Sequence, residues 1–166
     1  MFVFKPALIG LNNIGATCFM NATLQFLSQT KPLSHYFFDD TNKDRIINNN
    51  ISISEQNRLQ LSPAYLELLY NLWDINGPKS YSPNTIINII NQMNPLFQKR
   101  QPGDSKDFII FILEQLHKEL KKPVNNNSVQ NLILSQYDKN NAFLYFFGIF
   151  KKETSIISDI FFGFNE

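Results

Sequence analysis

Apolar positions along this chain recur at helical spacing in four well-marked segments. From Thr17 onward, Met20, Leu24 and Leu27 repeat at i, i+4 and i+7, with Phe19, Thr23 and Phe26 on the adjoining face. Thr17 stands where an N-cap belongs, and Lys31-Pro32 ends the helix. Two later segments each open with Ser-Pro, a cap residue followed by the helix-tolerant first position for proline. Ser62-Pro63 leads into Tyr65, Leu66, Leu69, Leu72 and Trp73, and Ser82-Pro83 into Ile86, Ile87, Ile90 and Met93, predicting two amphipathic helices that pack together. The longest helix starts at Asp104, with Asp107 three residues on as an acidic variant of the capping box. Its apolar face is Phe108, Phe111, Ile112, Leu116 and Leu120, and Pro123 with the Asn run closes it.

Elsewhere the pattern is weaker. Residues 1–17 read as an extended lead-in and a turn-rich loop supplied by Gly10, Asn12, Asn13 and Gly15. Residues 39–60 are polar and Asn-rich, which predicts a mobile loop. Shorter helices are expected over 128–136 and 141–150. The tail from Thr154 reads as a helical turn running into an apolar strand at Phe161-Phe162. There is no internal repeat.

Composition narrows the function classes. The 166 residues suffice for one domain with a real core, and the net charge of +1 argues against a polyanion-binding surface, so no nucleic-acid partner is expected. Lys121-Lys122 and Lys151-Lys152 read as isolated, solvated pairs. One cysteine rules out an internal disulfide and a multi-thiolate zinc site made by this chain alone, so neither metal nor cofactor is expected. The start, Met1 to Ile9, is interrupted by Lys5 and Pro6 and does not read as a signal peptide. The apolar runs are shorter than the roughly 20 residues that span a bilayer. A cytoplasmic or nuclear protein with no membrane partner is the expectation.

The lone thiol, Cys18, carries the chemistry. At a helix start the unpaired backbone N–H groups and the helix dipole favour the nucleophilic thiolate form. A glycine-bearing loop before it lets a carbonyl substrate approach the sulfur closely. Attack on that carbonyl builds an oxyanion, which a side-chain amide on the same loop could stabilise, and both Asn12 and Asn13 are placed for this. A single cysteine at a helix start is, taken alone, more often a buried structural residue.

What changes that reading is the whole string, GLNNIGATCFMNATLQ over residues 10–25. It resembles the cysteine box of the ubiquitin-specific protease family, where a Gly-Leu-x-Asn loop leads to Cys and then x-Met-Asn. The resemblance implies Cys18 as nucleophile and Asn13, five residues earlier, as the oxyanion-stabilising amide, with Asn12 at a variable position. Residues 104–120, DSKDFIIFILEQLHKEL, resemble the family's second box, an acidic residue opening a long helix that ends in Leu-His-x-x-Leu. There Asp104 matches a residue that holds the arginine-bearing tail of ubiquitin, and Asp107 matches a nearby acid. The family has Gln-Gln before that acid, and this chain has Pro102-Gly103. Residues 155–166 look like the start of the ubiquitin-gripping fingers.

The resemblance implies a papain-like α+β fold. Residues 1–166 would be a partial catalytic domain, a predominantly α-helical thumb with a terminal strand, its boxes at 10–27 and 101–120. It implies a deubiquitinase cleaving after ubiquitin's C-terminal glycine, with ubiquitin and ubiquitinated proteins as partners. Hydrolysis of this kind needs a histidine base. His117 matches a non-catalytic position of the second box, and His35 lies on the order of 20 Å from Cys18 if the helix persists. The family's base comes from a downstream box beyond Glu166, so the chain alone is expected to be inactive. The competing expectation is a non-catalytic remnant that binds ubiquitin's tail or another protein.

Overall fold

The structure is a computed structural model, and it describes residues 9–47, 60–98, 103–123 and 153–162. The fold is mostly helical, as the periodicity predicts. In chain order the elements are β1 (Gly10–Leu11), α1 (Cys18–Gln29), α2 (Lys31–Phe38), α3 (Asp40–Ile47), α4 (Leu61–Leu72), β2 (Ser80–Tyr81), α5 (Asn84–Met93), a 3-10 turn (Pro95–Phe97), α6 (Ser105–Leu120), β3 (Lys122–Pro123), β4 (Glu153–Thr154) and α7 (Ile156–Phe161). Helix α6 is the spine, packed against α1, α4 and α7, while α2 bridges α1, α3, α4 and α7. The expected helices over 128–136 and 141–150 lie outside the described residues.

The apolar stripes become the core. Met20, Leu24 and Leu27 of α1, Tyr65, Leu66, Leu69 and Leu72 of α4, Ile86, Ile87 and Ile90 of α5, and Phe108, Ile112, Leu116 and Leu120 of α6 are all buried. Burial of each such side chain is worth roughly 1.5–3 kcal/mol, so the stripes and not local propensity hold the bundle together. Phe26 departs from its expected face: it is 59% exposed.

Proline at position 32 ends one helix and starts the next. The chain breaks at Thr30, and Pro32 sits in the first turn of α2, where a missing N–H costs nothing. Helix α3 overturns the loop expected over 39–60, at least for Asp40–Ile47. Asp39 caps it through a hydrogen bond from the Thr41 N–H at 2.9 Å, and the Thr41 hydroxyl donates to the same oxygen. These two bonds, with help from Lys43, hold the exposed Asp39 carboxyl below its usual range. Lys43 pairs with Asp40 at 2.9 Å and lies over the Tyr70 ring, and Ile46 enters the core. The segment's six polar residues precede its only two apolar ones, Ile46 and Ile47, so the sequence shows no helical period there.

Both Ser-Pro caps are relocated. Helix α4 begins two residues early, at Leu61, and Ser62 is buried rather than capping. Its N-terminus is capped from another helix: the Glu119 carboxylate of α6 accepts the Leu61 N–H at 2.8 Å and the Ser62 N–H at 2.7 Å. Gln115 donates to the same carboxylate at 2.7 Å. A charged acceptor on a helix N-terminus satisfies orphan donors and the dipole together. Glu119→Gln should therefore lower stability by about 1–2 kcal/mol, because the amide keeps one acceptor and turns an NH2 onto the second N–H. The test is the urea midpoint at unchanged slope, and an unmoved midpoint would mean that the capping is dispensable.

The tail also differs. Phe161 is the last helical residue and not the start of a strand; the strand pair is β3 with β4, antiparallel, Lys122 opposite Thr154. Ser155 explains this. Its hydroxyl accepts from the Ile157 and Ser158 N–H groups while Ser158 reaches back to the Ser155 N–H, a complete capping box that commits the next residues to helix. Lys122 is exposed as expected, and Lys121 pairs with Glu153 at 2.8 Å.

Candidate active site

Strand β1 runs parallel to β2, held by the Gly10 N–H on Lys79 O and the Asn12 N–H on Tyr81 O. The chain then turns through residues 12–17 and enters α1 at Cys18. Within the turn Gly15 has φ +111° and Ala16 φ +46°. The first is open to glycine alone, and the second costs an alanine roughly 1–2 kcal/mol. Thr17 sits at the N-cap position as predicted, yet its side chain does not cap the helix. It donates to Asn13 Oδ1 at 3.0 Å and accepts the Ile14 N–H at 3.2 Å.

The two candidate amides are thereby told apart. Asn12 Nδ2 is engaged, donating to Ser82 Oγ at 2.9 Å, which is what Ser82 does in place of capping α5. Asn13 uses its oxygen for the loop: Oδ1 accepts from the Gly15 N–H at 3.3 Å, the Thr17 N–H at 3.0 Å and the Thr17 hydroxyl. Its Nδ2 has no partner among the described residues. Asn13 and Cys18 are both exposed.

The acidic pair stands at the neighbouring helix start. Asp104 is the N-cap of α6 and accepts the Lys106 N–H at 2.8 Å. That N–H is the second of the helix and not the third, and Asp107 makes no reciprocal bond, so Asp104 caps without the expected box, and both acids are exposed. What joins this helix start to Cys18 is Phe19. Its ring packs edge-on against Phe108 at 5.6 Å between centroids and near Phe97 at 6.4 Å. A Cβ built on Gly103 would come within 2.7 Å of Phe19 Cζ. Glycine before the acid is therefore what lets the residue after Cys18 lie against the residue before Asp104, a physical reason for the departure from Gln.

Neither histidine is near this corner. His35 is exposed on α2, past the break at Thr30. His117 is roughly 13 Å further along α6 than Phe108 and is engaged elsewhere. Its Nδ1 is 2.8 Å from Ser155 Oγ, and its ring lies against Phe162. Ser155 Oγ already accepts two N–H groups, so a hydroxyl hydrogen donated to Nδ1 completes its bonding, an arrangement that suits a neutral imidazole. Partial burial, and then Lys121, push the His117 pKa down, against an opposing pull from Glu153.

A histidine lowered on folding contributes stability that is complete above its unfolded value, about 6.5. That stability fades as pH falls through the lower folded value. The docking of α7 should accordingly loosen on acidification below about pH 6.5. Exchange of the Ile157 and Ser158 amides should quicken in step with the His117 ring titration; a titration above the ordinary histidine value would sink this.

Asn21 and Gln25, which the sequence reading passed over as part of the motif, hold β1 to α1. The sign was there to read: two amides four residues apart on one helix face. No helix among the described residues is long and apolar enough to cross a membrane.

Comparison with known proteins identifies the family. Residues 9–164 match the ubiquitin carboxyl-terminal hydrolase family. Ubiquitin carboxyl-terminal hydrolase 15 of Xenopus tropicalis is 32% identical over 161 residues, which is 96% of this chain and 16% of that protein. The human protein of the same name gives the same identity and coverage. The chain thus spans about 16% of the length of these relatives. With the match running through the Cys18 loop, the α6 start and α7 alike, the chain belongs to the ubiquitin carboxyl-terminal hydrolase family.

Proposed function

We propose that this segment supplies the nucleophile and the oxyanion donor of a cysteine-type deubiquitinase. The observation that carries the reading is the pairing of an exposed thiol at the first residue of α1 with an Asn13 amide whose oxygen is tied down and whose NH2 is unclaimed. The Cys18 thiolate attacks the carbonyl carbon of ubiquitin's C-terminal glycine, and the carbonyl π electrons move onto oxygen. Asn13 Nδ2 donates to that oxygen as its charge develops. Collapse expels the protonated amine of the conjugated lysine and leaves a thioester, which water cleaves to free the carboxylate and the thiol. Asp104 and Asp107, exposed beside this corner, attract the basic tail of ubiquitin.

The proton shuttle comes from outside these 166 residues, because His35 and His117 stand elsewhere. By itself the chain does not turn over substrate. The same placement favours a second reading, a module that binds ubiquitin's tail without chemistry. Ubiquitin carrying a Michael-acceptor electrophile at its C-terminus separates the two when incubated with the full-length gene product. Peptide mapping should find the adduct on Cys18. No adduct supports the binding module, and an adduct on another cysteine removes Cys18 from the mechanism.

A further inference from the structure

Among the described residues, strand β1 has a strand neighbour on one edge only. The Gly10 and Asn12 N–H groups face β2, so the pleat turns the carbonyls of Ile9 and Leu11 to the opposite edge, toward α1. There the helix meets them with side-chain amides. Gln25 Nε2 donates to Ile9 O at 2.9 Å, and Asn21 Nδ2 donates to Asn12 O at 3.0 Å with a longer contact to Leu11 O at 3.5 Å. The match is geometric. Four residues of helix rise about 6 Å, and alternate carbonyls of a strand repeat at roughly 6.6 Å. Gln25 thus bonds that edge at Ile9, while Asn21 reaches past Leu11 to bond chiefly the carbonyl of Asn12, where the turn begins.

Asn21 does more than Gln25. Its backbone N–H bonds Thr17 O at 2.8 Å while its side chain bonds Asn12 O, so both ends of the 12–17 turn are attached to one residue. Inside that turn lie Ala16 in the left-handed region and the three bonds that orient the Asn13 amide. A backbone in a sparsely populated conformation persists only when its surroundings hold it. Asn21 also carries a buried Oδ1 with no hydrogen-bond partner among the described residues. That is an unfavourable feature which an apolar residue at the same place would avoid, and it points to the NH2 end as the reason for an amide.

We infer that Asn21 is a positioning residue, fixing the Asn13 amide beside Cys18 by closing the base of the turn; this rests on the reading of Asn13 as oxyanion donor. Asn21→Asp keeps the shape and removes the donor, and Asn21→Ala is the second variant should the first fail to fold. In the full-length gene product, exchange of the Gly15 and Thr17 amides, both bonded to Asn13 Oδ1, should quicken about tenfold while amides in the middle of α4 and α6 stay unchanged. Affinity for ubiquitin aldehyde, whose thiol adduct carries an oxyanion, should fall by about the same factor. Alkylation of Cys18 by iodoacetamide, which builds no oxyanion, should stay within about twofold of wild type.

Gln25→Leu is the control for general loosening, and it should free Ile9 while leaving Gly15 and Thr17 protected. Unchanged exchange at Gly15 and Thr17 in the Asn21 variants overturns the inference, whatever the activity. An equal effect of Gln25→Leu at those amides also overturns it. A wild-type protein that takes no aldehyde sinks the donor role of Asn13 instead, and the exchange data then judge the clamp separately.

Discussion

Phe108→Ala should destabilise the chain by about 3–5 kcal/mol. The ring is fully buried at the first turn of α6 and meets Phe97 edge-on at 5.2 Å and Phe19 edge-on at 5.6 Å. Truncation removes the apolar burial, both ring contacts, and the partner on which Phe19 rests. Phe108→Leu should recover more than half of the loss, since most of the volume returns. Urea denaturation measures both. A loss below about 1 kcal/mol for the alanine variant would mean that the α1–α6 corner collapses freely, against the packing argued above. The same variant tests position as well as stability: Phe19 follows Cys18, so disorder there should also slow adduct formation in whatever fraction stays folded.

The long stripes were legible because burial writes itself at helical period. Leu24, Leu69, Ile90 and Leu116 are core residues in the sequence pattern and in the fold for one reason. Helix ends were less legible. Ser62 and Ser82 look like caps by local chemistry, but the N–H groups of α4 are taken by Glu119, far away in sequence, and Ser82 is recruited by Asn12. No local rule contains those partners. Asp40–Ile47 is illegible for the opposite reason, six polar residues before its only two apolar ones, which leaves no period to read. At the site, resemblance singled out Cys18 and Asn13. Spacing alone left Asn12 and Asn13 equal, and the physical distinction between them is which amide nitrogen is already engaged. Asn21 shows only its i, i+4 pairing with Gln25 in one dimension, since its partners are backbone carbonyls and not side chains.

The other large effect is expected at Asn13, and the choice of substitution decides what it means. Asn13→Ala would remove the acceptor for three hydrogen bonds along with the donor, so a loss of activity could come from a collapsed turn. Asn13→Asp keeps an oxygen where Oδ1 stands, and with it the bonds from Gly15, Thr17 N and Thr17 Oγ1. It replaces the unclaimed NH2 with a second oxygen. The turn should therefore stay folded, with Gly15 and Thr17 amide protection near wild type. The acylation rate of the full-length gene product on a fluorogenic ubiquitin substrate should fall about 10²–10³-fold, the usual cost of one oxyanion donor. The added negative charge also opposes a thiolate, and iodoacetamide alkylation of Cys18 reads that contribution by itself. An acylation loss no larger than the alkylation loss would assign the whole effect to charge and end the donor role. A loss that exceeds it by an order of magnitude or more, with the turn intact, is the result that a hydrogen bond made only in the transition state requires.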